Sequence, residues 1–257
     1  MRARRVLLLG GTTEASMLAE MLADDPQFAA ILSLAGVTRA PVLPRVAHRI
    51  GGFGGIDGLS AWLRAEAIDA LVDATHPYAT QMSRHAEMAA TQTGVAHLRI
   101  DRPAWSAQAG DRWTEIRDCV AAAEALGTEP RRVLLTVGSK GLAPFRNAPA
   151  HHYVIRCIDR PDPELLPPDH VMLQARGPFT LESETALLAE HRIDILVSKN
   201  SGGTATAPKL EAARRAGVNV LMLARPESAQ GGTCVATAAE AMRWLAARHH
   251  EGAPRGA

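Results

Sequence analysis

The sequence lacks the features of membrane and nucleic-acid-binding proteins. It has no apolar run near the roughly 20 residues that a membrane-spanning helix needs. The run VLLL close to the start is too short for the core of a signal peptide. Its 28 basic and 27 acidic residues leave almost no net charge. We therefore predict neither nucleic acid nor a membrane as a partner.

Cysteine is also scarce, and its spacing excludes the usual metal motifs. Cys119, Cys157 and Cys234 lie far apart, without a CxxC pair, and each has aliphatic neighbours. Such residues are typical of reduced thiols in a protein core. The cysteine pattern predicts a cytoplasmic protein without a cysteine-bound metal.

Several catalytic motifs are missing as well. There is no GxxxxGK[ST] phosphate loop, no HExxH metal motif and no GxSxG nucleophile turn. The His151-His152 and His249-His250 pairs are adjacent rather than four apart, so they do not have helical metal-ligand spacing. The sequence disfavours ATP-driven phosphoryl transfer, and we predict no metal site.

What the sequence does contain is an internal repeat. RRVLL occurs at residues 4–8 and again at 131–135, and each copy is followed by a glycine turn, GGTTEA or GSKGLA. IDALV is repeated as IDILV, and GVAHLRIDRP corresponds to GVNVLMLARP. A repeat of this length indicates duplicated domains. We predict two domains, residues 1–130 and 131–257.

Short aliphatic segments alternate with helical ones in each half. The predicted strands lie near residues 5–9, 30–36, 46–50, 69–74, 95–100, 133–137, 152–158, 170–174, 193–198 and 218–223. In the first half the predicted helices lie near 13–24, 58–66, 80–92 and 118–126. Strands separated by helices of this length form parallel sheets. We predict an α/β protein of two Rossmann-like domains with parallel sheets, from a tandem duplication, with a ligand cleft between them.

The segment LLLGGTTEA has the order strand, double-glycine turn and helix start. Gly10 and Gly11 would allow a phosphate to approach the backbone N–H groups, and Thr12 and Thr13 add hydroxyl donors. The third glycine of GxGxxG is absent, so an ordinary turn capped by Thr12 remains an alternative. Glu14 would repel a phosphate, and we assign it to capping or to a ribose hydroxyl.

The second predicted strand leads to Thr38 and Arg39. In dinucleotide-binding folds an acidic residue near this position holds the ribose of NAD, whereas an arginine suits the 2′-phosphate of NADP. The arginine therefore favours NADPH, unless Arg39 is only a solvated loop residue. The glycines of GGFGG, residues 51–55, would permit close backbone approach or form a tight loop.

The segments DATHPYA and SKNSGG follow the two copies of the IDxLV strand. Thr75, His76 and Tyr78 come after the first copy, and a histidine or tyrosine there could transfer a proton, although a lone histidine is more often structural. Lys199 and Asn200 come after the second copy, where a lysine favours an anionic ligand over a plain surface loop. The glycine turn of the second half, GSKG, supplies a further lysine, Lys140.

LLLGGTTEA, DATHPYA and SKNSGG, in this order and spacing, resemble the precorrin-6A reductase family of cobalamin biosynthesis over essentially the whole chain. The resemblance implies a cytoplasmic oxidoreductase in which NADPH reduces one double bond of the precorrin-6A macrocycle, to give precorrin-6B, without metal or flavin. It implies an anionic tetrapyrrole as partner, which would account for lysines at the ends of strands. We expect a monomer.

The resemblance also suggests roles for residues. Cofactor binding is expected from Gly10, Gly11, Thr12, Thr13, Glu14, Thr38, Arg39, Thr75, Asn200 and Ser201. Substrate binding is expected from Lys140, Lys199, Ser201 and Gly202, with Asn200 also facing the substrate. His76, Tyr78 and water are the candidate proton donors.

The sequence is also consistent with two other functions. One is a different NADP-dependent reductase with a smaller conjugated substrate, although the YxxxK pair of short-chain dehydrogenases is absent around Tyr78 and Tyr153. The other is a non-catalytic two-domain ligand-binding module.

Overall fold

The computed structural model describes residues 2–36, 44–226 and 232–251. It divides into two compact units. Unit 1 comprises Met1–Pro103 and Pro226–Ala257, and unit 2 comprises Ala104–Arg225. Thr38 and Arg39 lie outside the described residues.

Each unit is built around one six-stranded sheet in which every pair of neighbouring strands is parallel. The strands are β1 (Arg4–Leu9), β2 (Phe28–Leu34), β3 (Ala47–Ile50), β4 (Ala70–Asp73), β5 (Ala96–Ile100), β6 (Trp113–Ile116), β7 (Arg132–Thr136), β8 (His152–Cys157), β9 (His170–Gln174), β10 (Ile195–Lys199), β11 (Asn219–Leu223) and β12 (Thr233–Val235). The α-helices are α1 (Thr13–Ala23), α2 (Gly55–Ala65), α3 (Thr80–Thr93), α4 (Cys119–Ala125), α5 (Leu181–Glu190), α6 (Pro208–Ala216) and α7 (Ala238–Glu251). The predicted class of two parallel α/β halves is confirmed.

The strand order is the same in both sheets. Unit 1 has the order β12-β5-β4-β1-β2-β3, and unit 2 has β6-β11-β10-β7-β8-β9. From β1 the chain proceeds outward through β2 and β3, then returns to place β4 on the other side of β1. Loops that leave such neighbouring strands diverge, and open α/β sheets bind ligands at this switch point. The switch point lies between β1 and β4 in unit 1, and between β7 and β10 in unit 2.

Both faces of the first sheet are covered by helices, as the sequence of β1 requires. Val6 and Leu8 pack in one cluster with residues of α1 and α7, whereas Leu7 and Leu9 pack in another with residues of α2 and α3. All four side chains are buried. A strand apolar at successive positions is typical of a parallel sheet buried on both sides.

The division of the chain differs from the predicted boundary at residue 130. Strand β6 pairs with β11 and so belongs to unit 2, whereas β12 pairs with β5 and belongs to unit 1. The final strand and helix of each repeat therefore join the other repeat's sheet. Because this exchange is the same for both repeats, the repeat pattern could not reveal it.

The cysteines follow the prediction only in part. All three are free, and Cys157 is buried. Cys119 is half-buried at the start of α4. The predicted core position is wrong for Cys234, which is exposed because it lies on the short edge strand β12.

Two kinds of feature are absent from the described residues. Within residues 2–36, 44–226 and 232–251, no helix is both long and apolar enough to cross a membrane. In that same part of the chain, no three His, Cys, Asp or Glu side chains are grouped so that they could hold a metal ion.

Candidate functional site

The glycine turn after β1 is shaped by close packing against β2. The Gly10 N–H donates to the Ser33 carbonyl oxygen at 2.9 Å. A Cβ atom on Gly10 would lie 2.6 Å from Leu32 Cδ1, too close for any larger residue without a shift. Gly11 has φ +120°, a conformation that favours glycine, and a Cβ there would meet open space. The turn is therefore narrow on its inner side and open on its outer side.

Thr12 connects this turn to the loop that follows β4 through a side-chain hydrogen bond. Its Oγ1 accepts a hydrogen bond from the Ala15 N–H at 3.2 Å, which makes Thr12 the N-cap of α1. The same hydroxyl donates to the Ala74 carbonyl oxygen at 2.7 Å. The two loops of the switch point are thus joined by one side chain, with Thr13 beginning the helix.

Glu14 is paired with an arginine. Its carboxylate accepts a hydrogen bond from the Arg102 guanidinium, and both side chains are largely buried, 17% and 13% exposed. Glu14 also lies in the first turn of α1, where a negative charge is favoured by the helix dipole. Because Arg102 offsets the charge of Glu14, the carboxylate does not leave this turn electronegative.

The loop after β4 is held by a buried aspartate. Asp73 is 1% exposed, and its Oδ1 accepts from the Thr75 N–H at 3.0 Å and from the Thr75 hydroxyl at 2.7 Å. Arg99 Nη1 lies 3.5 Å from Asp73 Oδ2 and supplies the counter-charge. The strand end therefore fixes Thr75 through two hydrogen bonds.

His76 and Tyr78 lie in a turn between Thr75 and α3. The Tyr78 N–H donates to His76 Nδ1 at 3.3 Å, and the two ring centroids are 5.6 Å apart. Both side chains are half-buried, and Pro77 between them is buried. His76 Nδ1 therefore accepts a hydrogen bond from the backbone of its own turn.

In unit 2 the loop after β10 is held by Trp105 and Arg225. The Asn200 side chain accepts from the Trp105 N–H at 2.7 Å and donates to the Trp105 carbonyl oxygen at 2.9 Å. The Arg225 guanidinium donates to the carbonyl oxygens of Asn200 at 3.2 Å and Ser201 at 3.0 Å. Both polar ends of the Asn200 amide are thus engaged within unit 2, which indicates that Asn200 shapes this loop.

The two predicted lysines, Lys140 and Lys199, lie close enough in unit 2 for their charges to interact. Lys199, the last residue of β10, is half-buried, and Lys140 is exposed in the turn after β7. Burial lowers the pKa of Lys199; Cys119 opposes this shift and the charge of Lys140 adds to it. Two ammonium groups that repel each other favour an anionic ligand at this edge of the sheet.

Beneath this edge lies a buried ionic cluster that the sequence did not indicate. Arg156 and Glu184 form an ion pair with exposed fractions of 6% and 1%. Lys209 is buried beside them, and its Nζ donates to Thr136 Oγ1 at 3.3 Å. Lys209 Nζ also lies 5.3 Å from the centre of a Trp105 ring. We refer to Arg156, Glu184 and Lys209 as the buried charge cluster.

The structure places the predicted site residues in two groups. Gly10 to Glu14 and Thr75 to Tyr78 come together at the switch point of unit 1 through Thr12 and Ala74. Lys140 and residues 199–202 belong to the switch point of unit 2. Asn200 and Ser201, predicted to contact the cofactor, thus lie in a different unit from the glycine turn.

Two supporting arginines escaped the sequence prediction although the repeat pointed to them. Arg102 precedes Pro103 after β5, and Arg225 precedes Pro226 after β11, at matching places in GVAHLRIDRP and GVNVLMLARP. Each arginine binds residues at the switch point of its own unit. The repeated Arg-Pro pair was therefore a usable indication of arginines that support the two switch points.

Comparisons with known proteins agree with this geometry. The protein-family model for precorrin-6x reductase CbiJ/CobK matches residues 5–246. The chain is 47% identical over 252 residues to the precorrin-6A reductase of Rhodobacter capsulatus, which covers 98% of this chain and 99% of that protein. It is 47% identical over 241 residues to the precorrin-6A reductase of Rhodococcus erythropolis, which covers 94% and 97%.

A solved structure gives the same result at the level of the fold. The structure of CobK precorrin-6A reductase matches with a TM-score of 0.91 and 46% sequence identity, and it covers 99% of this chain and all of that one. The resemblance carried by LLLGGTTEA, DATHPYA and SKNSGG is thereby confirmed. By its full-length match to the family model and to these relatives, the chain belongs to the precorrin-6x reductase family CbiJ/CobK.

Proposed function

We propose that this chain is a precorrin-6A reductase that uses NADPH to reduce one double bond of the macrocycle. The observation that carries the proposal is the 47% identity to a precorrin-6A reductase over almost the whole of both chains. The product is precorrin-6B, a dihydro derivative, and the reaction belongs to cobalamin biosynthesis. The free cysteines suit the reducing cytoplasm, and we take the enzyme to act there as a monomer.

The switch point of unit 1 suits a dinucleotide. Its turn lacks side chains at Gly10 and Gly11, and the start of α1 presents backbone N–H groups with the positive end of the helix dipole. Arg102 offsets the negative charge of Glu14, so a phosphate can approach. In this proposal Gly10, Gly11, Thr12 and Thr13 hold the phosphates.

The loop after β4 is assigned to the nicotinamide half of the cofactor. Asp73 fixes Thr75, and Thr12 ties Ala74 to the phosphate turn, so the loop is preorganised. NADPH when bound supplies a hydride to one atom of the conjugated system, and a proton adds to the neighbouring atom. His76, Tyr78 and water remain the proton donors to be tested.

The switch point of unit 2 is assigned to the substrate. Lys140 and Lys199 repel each other, and the carboxylate arms of precorrin-6A would relieve that repulsion. Ser201 and Gly202 complete the loop, which Asn200 holds in place through Trp105. Here Asn200 acts as a positioning residue, and the cofactor contacts predicted for Asn200 and Ser201 stay predictions.

The proposal is tested by incubating the chain with precorrin-6A and NADPH. We expect mass spectrometry to show a product heavier by two hydrogens, with loss of the NADPH absorbance in equal amount. Controls without the protein or without NADPH should leave the substrate mass unchanged. An unchanged mass in the complete reaction would remove the specific activity from consideration.

The preference for NADPH is tested separately through Arg39. A guanidinium forms charge-assisted hydrogen bonds with a phosphate, so we expect wild-type protein to bind NADPH more tightly than NADH in titrations followed by tryptophan fluorescence. Arg39→Ala should reduce this preference, by weakening NADPH binding about tenfold or more while leaving NADH binding nearly unchanged. A preference that is unchanged by the substitution would contradict the assignment of Arg39.

A further inference from the structure

Arg49 is held at the carboxyl edge of the first sheet by three hydrogen bonds. Its Nη1 donates to Ser33 Oγ at 2.8 Å and to the Gly51 carbonyl oxygen at 2.9 Å. Its Nη2 donates to the Gly52 carbonyl oxygen at 2.9 Å. The guanidinium carbon also lies 3.9 Å from the centre of the Phe53 ring. The guanidinium therefore has a fixed position and orientation.

Arg49 has no carboxylate partner in the described part of the chain. Nearby arginines are paired: Arg45 with Glu20 and Asp24, and Arg102 with Glu14. Burial lowers the pKa of Arg49, and no carboxylate opposes that shift. A partly buried cation without a counter-charge is costly and favours an anionic ligand.

The guanidinium keeps donors for such a ligand. Arginine has five N–H groups, and three of those on Arg49 are used by Ser33, Gly51 and Gly52. The second N–H of Nη2 and the Nε–H make no hydrogen bond to the described residues. One remaining face of a fixed guanidinium can thus present two donors, which is the geometry that phosphate accepts.

Ser33 links Arg49 to the phosphate turn. Ser33 and Arg49 are Cα partners in the β2–β3 register, and the Ser33 carbonyl oxygen accepts from the Gly10 N–H. In dinucleotide folds, an acidic residue about 20 residues beyond the glycine turn binds the NAD ribose. At this place the chain has the buried hydroxyl of Ser33, and a guanidinium occupies the position beside it.

We propose that Arg49 is a specificity-determining residue that binds the 2′-phosphate of NADPH. The inference rests on the proposed use of NADPH and deepens it, because it assigns the recognition to a second arginine besides Arg39. Arg49 also holds the carbonyl groups of Gly51 and Gly52, so it shapes the loop that leads to α2. Its contribution to binding must therefore be separated from its contribution to the loop.

The test compares Arg49→Met with Arg45→Met. Methionine keeps much of the length and the contact with Phe53 but removes the charge and the donors. We expect Arg49→Met to weaken NADPH binding about 10- to 100-fold, the effect of losing hydrogen bonds to a charged group, and to change NADH binding less than about twofold. Arg45 lies four residues away with its side chain 61% exposed, paired with Glu20 and Asp24. Arg45→Met should leave both affinities unchanged.

The possible outcomes separate this inference from the proposed function. Equal losses of NADPH and NADH binding would show that Arg49 only supports the loop. Unchanged affinities for both nucleotides would also overturn the inference. Either outcome leaves the reductase proposal intact. Wild-type protein that binds neither nucleotide would remove both. If circular dichroism shows that Arg49→Met does not fold, Arg49→Lys takes its place. This variant keeps the charge but loses the planar fork, and it should again weaken NADPH binding selectively.

Discussion

Lys209 is a buried lysine whose environment differs strongly from that of a lysine at the protein surface. Its amine is buried near Arg156, so the buried charge cluster holds two cations and one carboxylate. Burial lowers the pKa of Lys209 to about 7; Arg156 adds to this shift and Glu184 opposes it. The ordinary value for a lysine is 10.5. The folded chain therefore releases this proton several pH units before the unfolded chain does.

This difference predicts how stability changes with pH. Between pH 7 and 9 the unfolded state keeps the Lys209 proton and the folded state loses it, so the free energy of unfolding rises with pH. One proton corresponds to about 1.4 kcal/mol per pH unit, or roughly 2 kcal/mol over this window. Below pH 7 both states are protonated, and the contribution becomes constant.

Denaturant titrations at several pH values provide the measurement. Lys209→Met keeps an unbranched side chain of similar length but removes the amine, so we expect its unfolding free energy to depend less on pH between 7 and 9. Arg146→Met, at an exposed arginine of the same unit, should keep the wild-type slope. Burial also lowers the pKa of Lys199, so some slope remains in every variant. If Lys209→Met and wild type had equal slopes, Lys209 would not be the source of the pH dependence.

At the scale of elements, the loop after β10 depends on a distant segment of the chain. Asn200 exchanges two hydrogen bonds with the backbone of Trp105, which lies on the segment leading to β6. Lys199 at the end of β10 and Ser201 in this loop are assigned above to the substrate. Loss of the Asn200 amide should therefore affect both the stability of unit 2 and the placement of these residues.

We expect Asn200→Ala to lower the free energy of unfolding by about 1–2 kcal/mol, since two backbone groups of Trp105 lose their partners. We also expect a higher KM for precorrin-6A with a smaller change in kcat, because the proposal assigns the placement of the substrate to this loop. Asn219→Ala, at the exposed first residue of β11, is the matched control and should change neither quantity. An Asn200 variant as stable and as active as this control would refute the positioning role.

The buried strands were predictable because they are apolar on both faces. The predicted ends of β1, β7 and β10 differ from the observed ones by no more than about two residues. The strands β6 and β12 were missed because WTEI and TCV are short and lie at sheet edges, where half-exposed side chains remove the apolar pattern. A central strand can be predicted because burial requires an apolar sequence. An edge strand lacks this pattern, and it forms through hydrogen bonds to a neighbouring strand that the sequence does not reveal.

In the candidate site, too, some residues could be predicted from the sequence and others could not. The glycine turn could be predicted because its φ angle and its packing require glycine at Gly11 and Gly10. The role of Arg49 could not be, since it depends on Ser33, which folding brings beside Arg49 on the neighbouring strand. A sequence shows which residues a turn needs, but it does not show which cation lies beside that turn.

At the scale of the whole molecule, the two units have the same strand order but different residues at their switch points. Their strand orders correspond, and in each unit an Arg-Pro pair supports the switch point. Unit 1 has an open glycine turn there, whereas unit 2 has two lysines above the buried charge cluster. The two units therefore share a strand order but carry different residues and charges at their strand ends.

The exchange of β6 and β12 has a consequence for synthesis on the ribosome. Unit 2 is one continuous segment, complete once Arg225 has been added. Unit 1 needs β12 and α7, so its sheet cannot be completed until residues 233–251 have also been made. The unit whose first strand is made first is therefore the last to be completed, and the β5 edge of its sheet lacks its partner strand until β12 has been made.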